Sequence, residues 1–176
     1  MGMDVEGINP VVRGTKPERP DDLFELSDEA KDKYFDALNA WYDVNPGDYF
    51  RANVWGWRPL CEIMWESGAC YEMPTKEWDG MAYNDGHGAE NQEQCNRMVA
   101  KLKSWMMEKI WDDDGTYTPE AFKKEDMLVC AETGTFVRKA EAELKGIDTR
   151  SPYRVSKERV EDWIAFLSEC GGFKVW

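Results

Sequence analysis

The sequence predicts a single α-rich α+β domain, with a small sheet that pairs the two ends of the chain. Three observations carry this reading. Apolar residues recur at helical spacing in residues 27–43, from Cys95 to Ile110 and from Val160 to Leu167. Short stretches at residues 1–8 and Phe173–Trp176 read as strands, and each is bounded by glycine. The 176 residues fit one domain of 1–176 with no internal repeat.

Taken in order, residues 9–25 carry Pro10, Gly14, Pro17 and Pro20 and read as an irregular surface connector. Ser27 followed by Asp28 and Glu29 opens a helix whose aromatic stripe, Tyr34, Phe35, Leu38, Trp41 and Tyr42, is expected in the core; Asn45-Pro46-Gly47 ends it. Arg58-Pro59-Leu60 reads as a helix entry with proline in the first turn, continuing to Ser67-Gly68. Residues 68–83, with Pro74 and Gly80, read as a loop or short strand. A helix bearing Cys95, Met98, Val99, Leu102, Trp105 and Met106 closes at Asp112-Asp113-Asp114-Gly115. Thr118-Pro119-Glu120 starts a helix through Phe122 toward Leu128, and a charged surface helix covers Val137–Leu144. Ser156 caps the last helix, and Gly171-Gly172 stops it.

Composition narrows the function. The net charge is −13, which repels nucleic-acid phosphates and anionic membranes, so neither is an expected partner. The acidity reads either as solubility for a chain with 9 Trp or as a surface that mimics nucleic acid. No apolar run approaches the ~18 residues of a membrane span, and the expected location is cytoplasmic. Five cysteines, Cys61, Cys70, Cys95, Cys130 and Cys170, lack any C-x-x-C pair and read as reduced core thiols, with neither a disulfide framework nor a zinc site signalled. No cofactor is expected.

The densest stretch is Tyr49–Leu60, which holds four aromatics, two arginines and an asparagine. Arg51 and Arg58 offer guanidinium forks for an anion, Asn53 an amide, and Trp55 and Trp57 flat faces for a planar ring. Placed just before a helix N-terminus, such residues favour phosphate. The alternative is that Trp55 and Trp57 fill the core while the arginines pair with some of the 35 acidic residues. A second turn, Asn84-Asp85-Gly86-His87-Gly88, brings Asn84, Asp85 and the only histidine, His87, to another loop-then-helix junction. His87 reads as a solvated loop residue or, if Asp85 holds it toward a pocket, as a base.

Four blocks in order, Met1–Gly7, Phe50–Leu60, Asn84–Gly88 and Cys170–Phe173, resemble a family of uncharacterised small phage and bacterial proteins. Its members share a Met-Gly-Met-Asp-Val start, a Phe-Arg-x-Asn-Val-Trp segment, an Asn-Asp-Gly turn and a terminal Cys-Gly-Gly-Phe. The chain departs from that pattern by inserting helix 27–43 and by lacking the paired cysteines of many members, so a zinc-binding role is not implied. The resemblance implies a phage-associated setting and supplies no activity.

Three functions are weighed. The first is a binder of a small anionic or nucleotide-like ligand that sequesters a bacterial immune signal, using Arg51, Asn53, Trp55, Trp57, Arg58, Asn84, Asp85 and His87. The second is an acidic interaction protein that inhibits a basic host protein such as a nuclease. The third is a nucleotide hydrolase with Asp85 and His87 activating water, for which no nucleophile or P-loop motif is present.

Overall fold

A computed structural model describes residues 2–124 and 126–176. In chain order the elements are β1 (Gly2–Gly7), α1 (Asp28–Val44), β2 (Tyr49–Asn53) and α2 (Val54–Glu66). A 3-10 turn at Ala69–Glu72 leads to α3 (Thr75–Gly80) and α4 (Gln92–Glu108). Then come β3 (Thr116–Tyr117), a 3-10 turn at Glu120–Phe122, β4 (Met127–Cys130), β5 (Phe136–Arg138), α5 (Lys139–Lys145), β6 (Thr149–Arg150), β7 (Val155–Ser156), α6 (Lys157–Glu169) and β8 (Phe173–Val175). The fold is α+β, as the sequence predicts.

The main sheet has the antiparallel order β2-β1-β8. Val5 sits between Phe50 on one side and Val175 on the other. Alternation along β1 turns Met3 and Val5 inward, and both are buried. Helices α2 and α6 pack on this sheet, and α4 packs against both helices. The core they enclose includes Phe50, Trp57, Leu60, Met98, Leu102, Trp163, Phe166 and Phe173. Trp163 is its hub: its ring lies 4.9 Å from Phe50, 5.1 Å from Phe166, 5.3 Å from Phe173 and 5.6 Å from Trp57, centroid to centroid. The five cysteines are free, and the buried thiols of Cys95 and Cys170 meet at 3.5 Å where α4 begins and α6 ends.

Four elements differ from the sequence reading. Helix α2 begins at Val54 rather than at Arg58, because the Asn53 side chain accepts the Gly56 N–H at 2.9 Å and caps the helix one turn earlier. Pro59 therefore lies inside the helix. Residues 69–80 are a 3-10 turn and helix α3 rather than loop or strand. The helix expected from Thr118 toward Leu128 is one 3-10 turn, and Met127–Cys130 pairs instead with β5 and β6, where backbone hydrogen bonds outweigh local helical preference. The helix expected at Val137–Leu144 starts at Lys139, after β5.

The aromatic stripe of α1 is not part of the main core. Only Trp41 is buried there, while Phe35 is exposed. The connector covers this end of the helix: Lys16 Nζ sits 4.9 Å from the Trp41 ring centroid and 5.0 Å from that of Tyr42. Asn45, fully buried, fastens the arrangement by donating to Trp41 O at 2.7 Å and Arg13 O at 3.0 Å, and by accepting the Arg13 N–H. Arg13 in turn pairs with Glu169 at the end of α6. The turn after Asn45 presses so close to α6 that a Cβ at Gly47 would overlap the Glu169 backbone.

The indole N–H of Trp163 has no hydrogen-bond partner although it is buried. Trp163→Ala, which empties the hub, is expected to cost about 3–5 kcal/mol. Trp163→Phe keeps a ring and removes the orphaned donor, so its cost is expected to be well below half of that. Urea denaturation followed by circular dichroism checks the order of the two variants.

Candidate functional site

Strand β2 and helix α2 form one continuous run, so the arginine of the strand and the first turn of the helix face neighbouring parts of one surface. Arg51 projects from β2, two-thirds exposed, and its Nε lies 3.5 Å from Asp4 Oδ1. Asp4 also accepts the Tyr49 hydroxyl; burial and that carboxylate together push the Tyr49 phenol above its ordinary range. The register Asp4↔Arg51 places this carboxylate directly across the ladder.

Two further arginines reach the same place from the C-terminal third. Arg154 stands two residues before the cap of α6, Ser156, whose Oγ accepts the Arg159 N–H at 3.1 Å. Arg159 lies in the first turn of α6. A groove of about 530 Å³ is lined by Arg51, Asn53 and Gly56 on one side and by Arg154, Ser156 and Arg159 on the other. The N-termini of α2 and α6 both open on it, and their first-turn N–H groups add positive potential to three guanidinium groups. Arg159 lies over the Phe50 ring at 4.2 Å, and burial holds its guanidinium below the ordinary arginine pKa, against the pull of Asp162 3.7 Å away. Arg154 makes the tightest pair, 2.6 Å to Asp114. The pairs of Arg51 and Arg159 are loose, at 3.5 and 3.7 Å, so both can turn toward an incoming anion.

Trp55 borders an adjoining cleft of about 280 Å³ that shares Arg154 with the groove and is also lined by Arg150, Ser151 and Phe136. Its indole is 41 % exposed and tilted against Tyr153 at 4.9 Å and Phe136 at 5.5 Å. Trp57 is 2 % exposed, meets Trp163 edge-on and donates its Nε1–H to Met81 O at 3.3 Å. Of the two tryptophans, Trp55 is the one with a face open to solvent. Arg58 points away from the groove, donating to the Tyr153 hydroxyl at 3.1 Å.

Asn84, Asp85 and His87 do not line the arginine groove. Their segment runs along the free edge of β8: Gly86 N–H donates to Val175 O at 2.9 Å, and Val175 N–H to His87 O at 3.0 Å. Asn84 adopts φ 56° and donates to Gly2 O at 3.3 Å, which anchors the start of β1. The His87 ring lies between two carboxylates, Nδ1 at 3.0 Å from Glu77 Oε2 and Nε2 at 3.5 Å from Asp85 Oδ2. It packs against α3, where a Cβ at Gly80 would collide with it. Among the described residues no three His, Cys, Asp or Glu side chains converge to hold a metal ion.

Sequence reasoning found Arg51 and Asn53 and missed Arg154, Arg159 and Arg150. The available signal was Arg154-Val155-Ser156-Lys157-Glu158-Arg159, basic residues that bracket a helix cap. No protein-family model, curated protein or solved structure matches the chain. Among the described residues no helix is long and apolar enough to cross a membrane.

The Glu77 carboxyl is held below the ordinary glutamate range, first by its hydrogen bond with His87 and then by the Gly88 N–H at 3.2 Å. A depressed carboxylate stabilises the fold above its unfolded pKa, about 4.3, and that stability disappears as pH falls through the folded value. Glu77→Gln is therefore expected to lower the Tm at pH 7 and to flatten its decline between about pH 5 and 3. Thermal melts across that window test this; parallel curves for the two proteins would contradict it.

Proposed function

We propose that the chain binds a small anionic, nucleotide-like ligand without transforming it, with phosphate in the arginine groove and a planar ring against Trp55. The supporting observation is the convergence of Arg51, Arg154 and Arg159 on one groove in a protein whose net charge is −13. Such a concentration of positive charge runs against the average field of the surface, and bidentate guanidinium groups suit phosphate oxygens. The shared wall at Arg154 gives a ligand of nucleotide length both a charged end and an aromatic end. Arg58, Asn84, Asp85, His87 and the buried Trp57 serve the fold in this reading rather than the ligand.

In a phage-infected bacterial cytoplasm, the setting suggested by the four sequence blocks, such a binder would sequester a nucleotide immune signal. Hydrolysis is the less favoured reading, because both ring nitrogens of His87 already face carboxylates of the protein itself. The interaction-protein reading draws on α1, whose Asp28, Glu29, Asp32, Asp36 and Asp43 are all exposed beside Phe35. It predicts a salt-sensitive complex with a basic protein.

Titration calorimetry with nucleoside phosphates and cyclic dinucleotides is the test. Arg154→Ala and Arg51→Ala are each expected to weaken binding about tenfold or more, from the loss of a charge-assisted hydrogen bond. Trp55→Ala is expected to lose about 1–3 kcal/mol with nucleotides and little with inorganic phosphate. Ligand recovered unchanged after denaturation supports sequestration, whereas altered ligand identifies a hydrolase. Absence of binding across the panel would reject the ligand reading.

A further inference from the structure

The largest cavity described lies on another part of the molecule, between α2, α3 and the Glu120–Phe122 turn, with a volume of about 650 Å³. Its lining follows from helical spacing. On α2, Arg58 and Glu62 are one turn apart; Trp78 and Asp79 end α3, and Tyr83 follows one turn on. Phe122, from the Glu120–Phe122 turn, also lines it. Four aromatic residues, Trp57, Trp78, Tyr83 and Phe122, and two carboxylates therefore line one space of a size that suits a small molecule.

The two carboxylates are what set the chemistry. Neither Glu62 nor Asp79 has an ion-pair or side-chain hydrogen-bond partner among the described residues, whereas Glu66, Glu72 and Glu77 nearby all do. Burial and the neighbouring Glu66 push the Glu62 carboxyl above the ordinary glutamate range, as expected of an acid that lacks a compensating charge. Arg58 is positioned at i,i+4 from Glu62, yet its guanidinium lies over the Tyr153 ring, 5.7 Å from the centroid, and bonds the Tyr153 hydroxyl. The cavity thus combines aromatic side chains with two carboxylates that lack an ion-pair partner, the two features that attract an organic cation.

We propose that this cavity is a binding site, distinct from the arginine groove, for a small alkylammonium cation that lies against Trp78, Tyr83 and Phe122 and faces Glu62 and Asp79. The rings supply the attraction that survives partial desolvation, and the carboxylates balance the charge. Arg58 sets the boundary of the site on the side of Tyr153 and opposes the cation, so its removal favours binding. The site does not depend on the proposed anion function, since none of its residues lines the arginine groove.

The experiment is titration with choline by ligand-observed NMR and calorimetry, with 3,3-dimethyl-1-butanol as the uncharged analogue of the same shape. Saturable choline binding is expected, with at least tenfold weaker binding of the neutral alcohol. Trp78→Ala and Glu62→Gln are each expected to weaken choline binding by about tenfold. Arg58→Gln is expected to strengthen it, and Arg154→Ala, which lies outside this cavity, to leave it unchanged. Circular dichroism melts establish that each variant is folded; should Trp78→Ala unfold, Glu62→Gln and the neutral alcohol decide the matter. Equal binding of alcohol and choline, retention of affinity in folded Glu62→Gln, or no saturable choline binding by the unmodified protein would overturn the proposal.

Discussion

Strand β1 has a partner on each edge, and the two partners come from distant parts of the sequence. Its register with β2 runs from Gly2↔Asn53 to Glu6↔Tyr49, and its register with β8 from Val5↔Val175 to Gly7↔Phe173. Every other large feature depends on this double pairing. It sets Phe50 and Phe173 on the inner face against Trp163, and it places Arg51 on the outer face beside Asp4. A slip of one residue would exchange these faces, putting an arginine into the aromatic core and a phenylalanine into water.

The outer elements use side-chain polar chemistry to hold what hydrophobic burial does not. The connector 9–25 has few apolar anchors; it is held by the amide of Asn45, by the Arg13–Glu169 pair and by Lys16 over two aromatic rings. The segment at 84–88 is held in the same manner, with Asn84 on the Gly2 carbonyl and His87 between Glu77 and Asp85. Buried amides and paired imidazoles of this kind fix one geometry, because the alternatives leave polar groups without partners.

Much of this was legible in the sequence, and the boundary between the legible and the hidden is physical. Ser27 and Ser156 were recognisable caps because each precedes an acidic first turn and a 3.6-residue apolar pattern. The pairing of the terminal strands was expected from short apolar segments at both ends. The start of α2 is ambiguous in the sequence because Pro59 is a strong local marker of a helix start, while Asn53 competes for the same role from one turn earlier and wins. The β4-β5-β6 sheet was hidden, since its strands are short and gain their stability from one another rather than from alternation. The stretch 49–60 contained half of the arginine groove. Arg154 and Arg159 lie about a hundred residues away, and no local pattern links them to Arg51 before the sheet and α6 are assembled.

The position of β8 also governs the order of assembly. Helices α2 and α4 can form soon after they are made, because their hydrogen bonds are local, but β1 keeps an open edge until residue 175 is available to pair with it. Until α6 and β8 are in place, Met3 and Val5 lack the helix that carries Trp163 and the ring of Phe173. Until that pairing forms, β1 is held on one edge only, by β2, and its other edge is an open template for strand pairing that β8 closes.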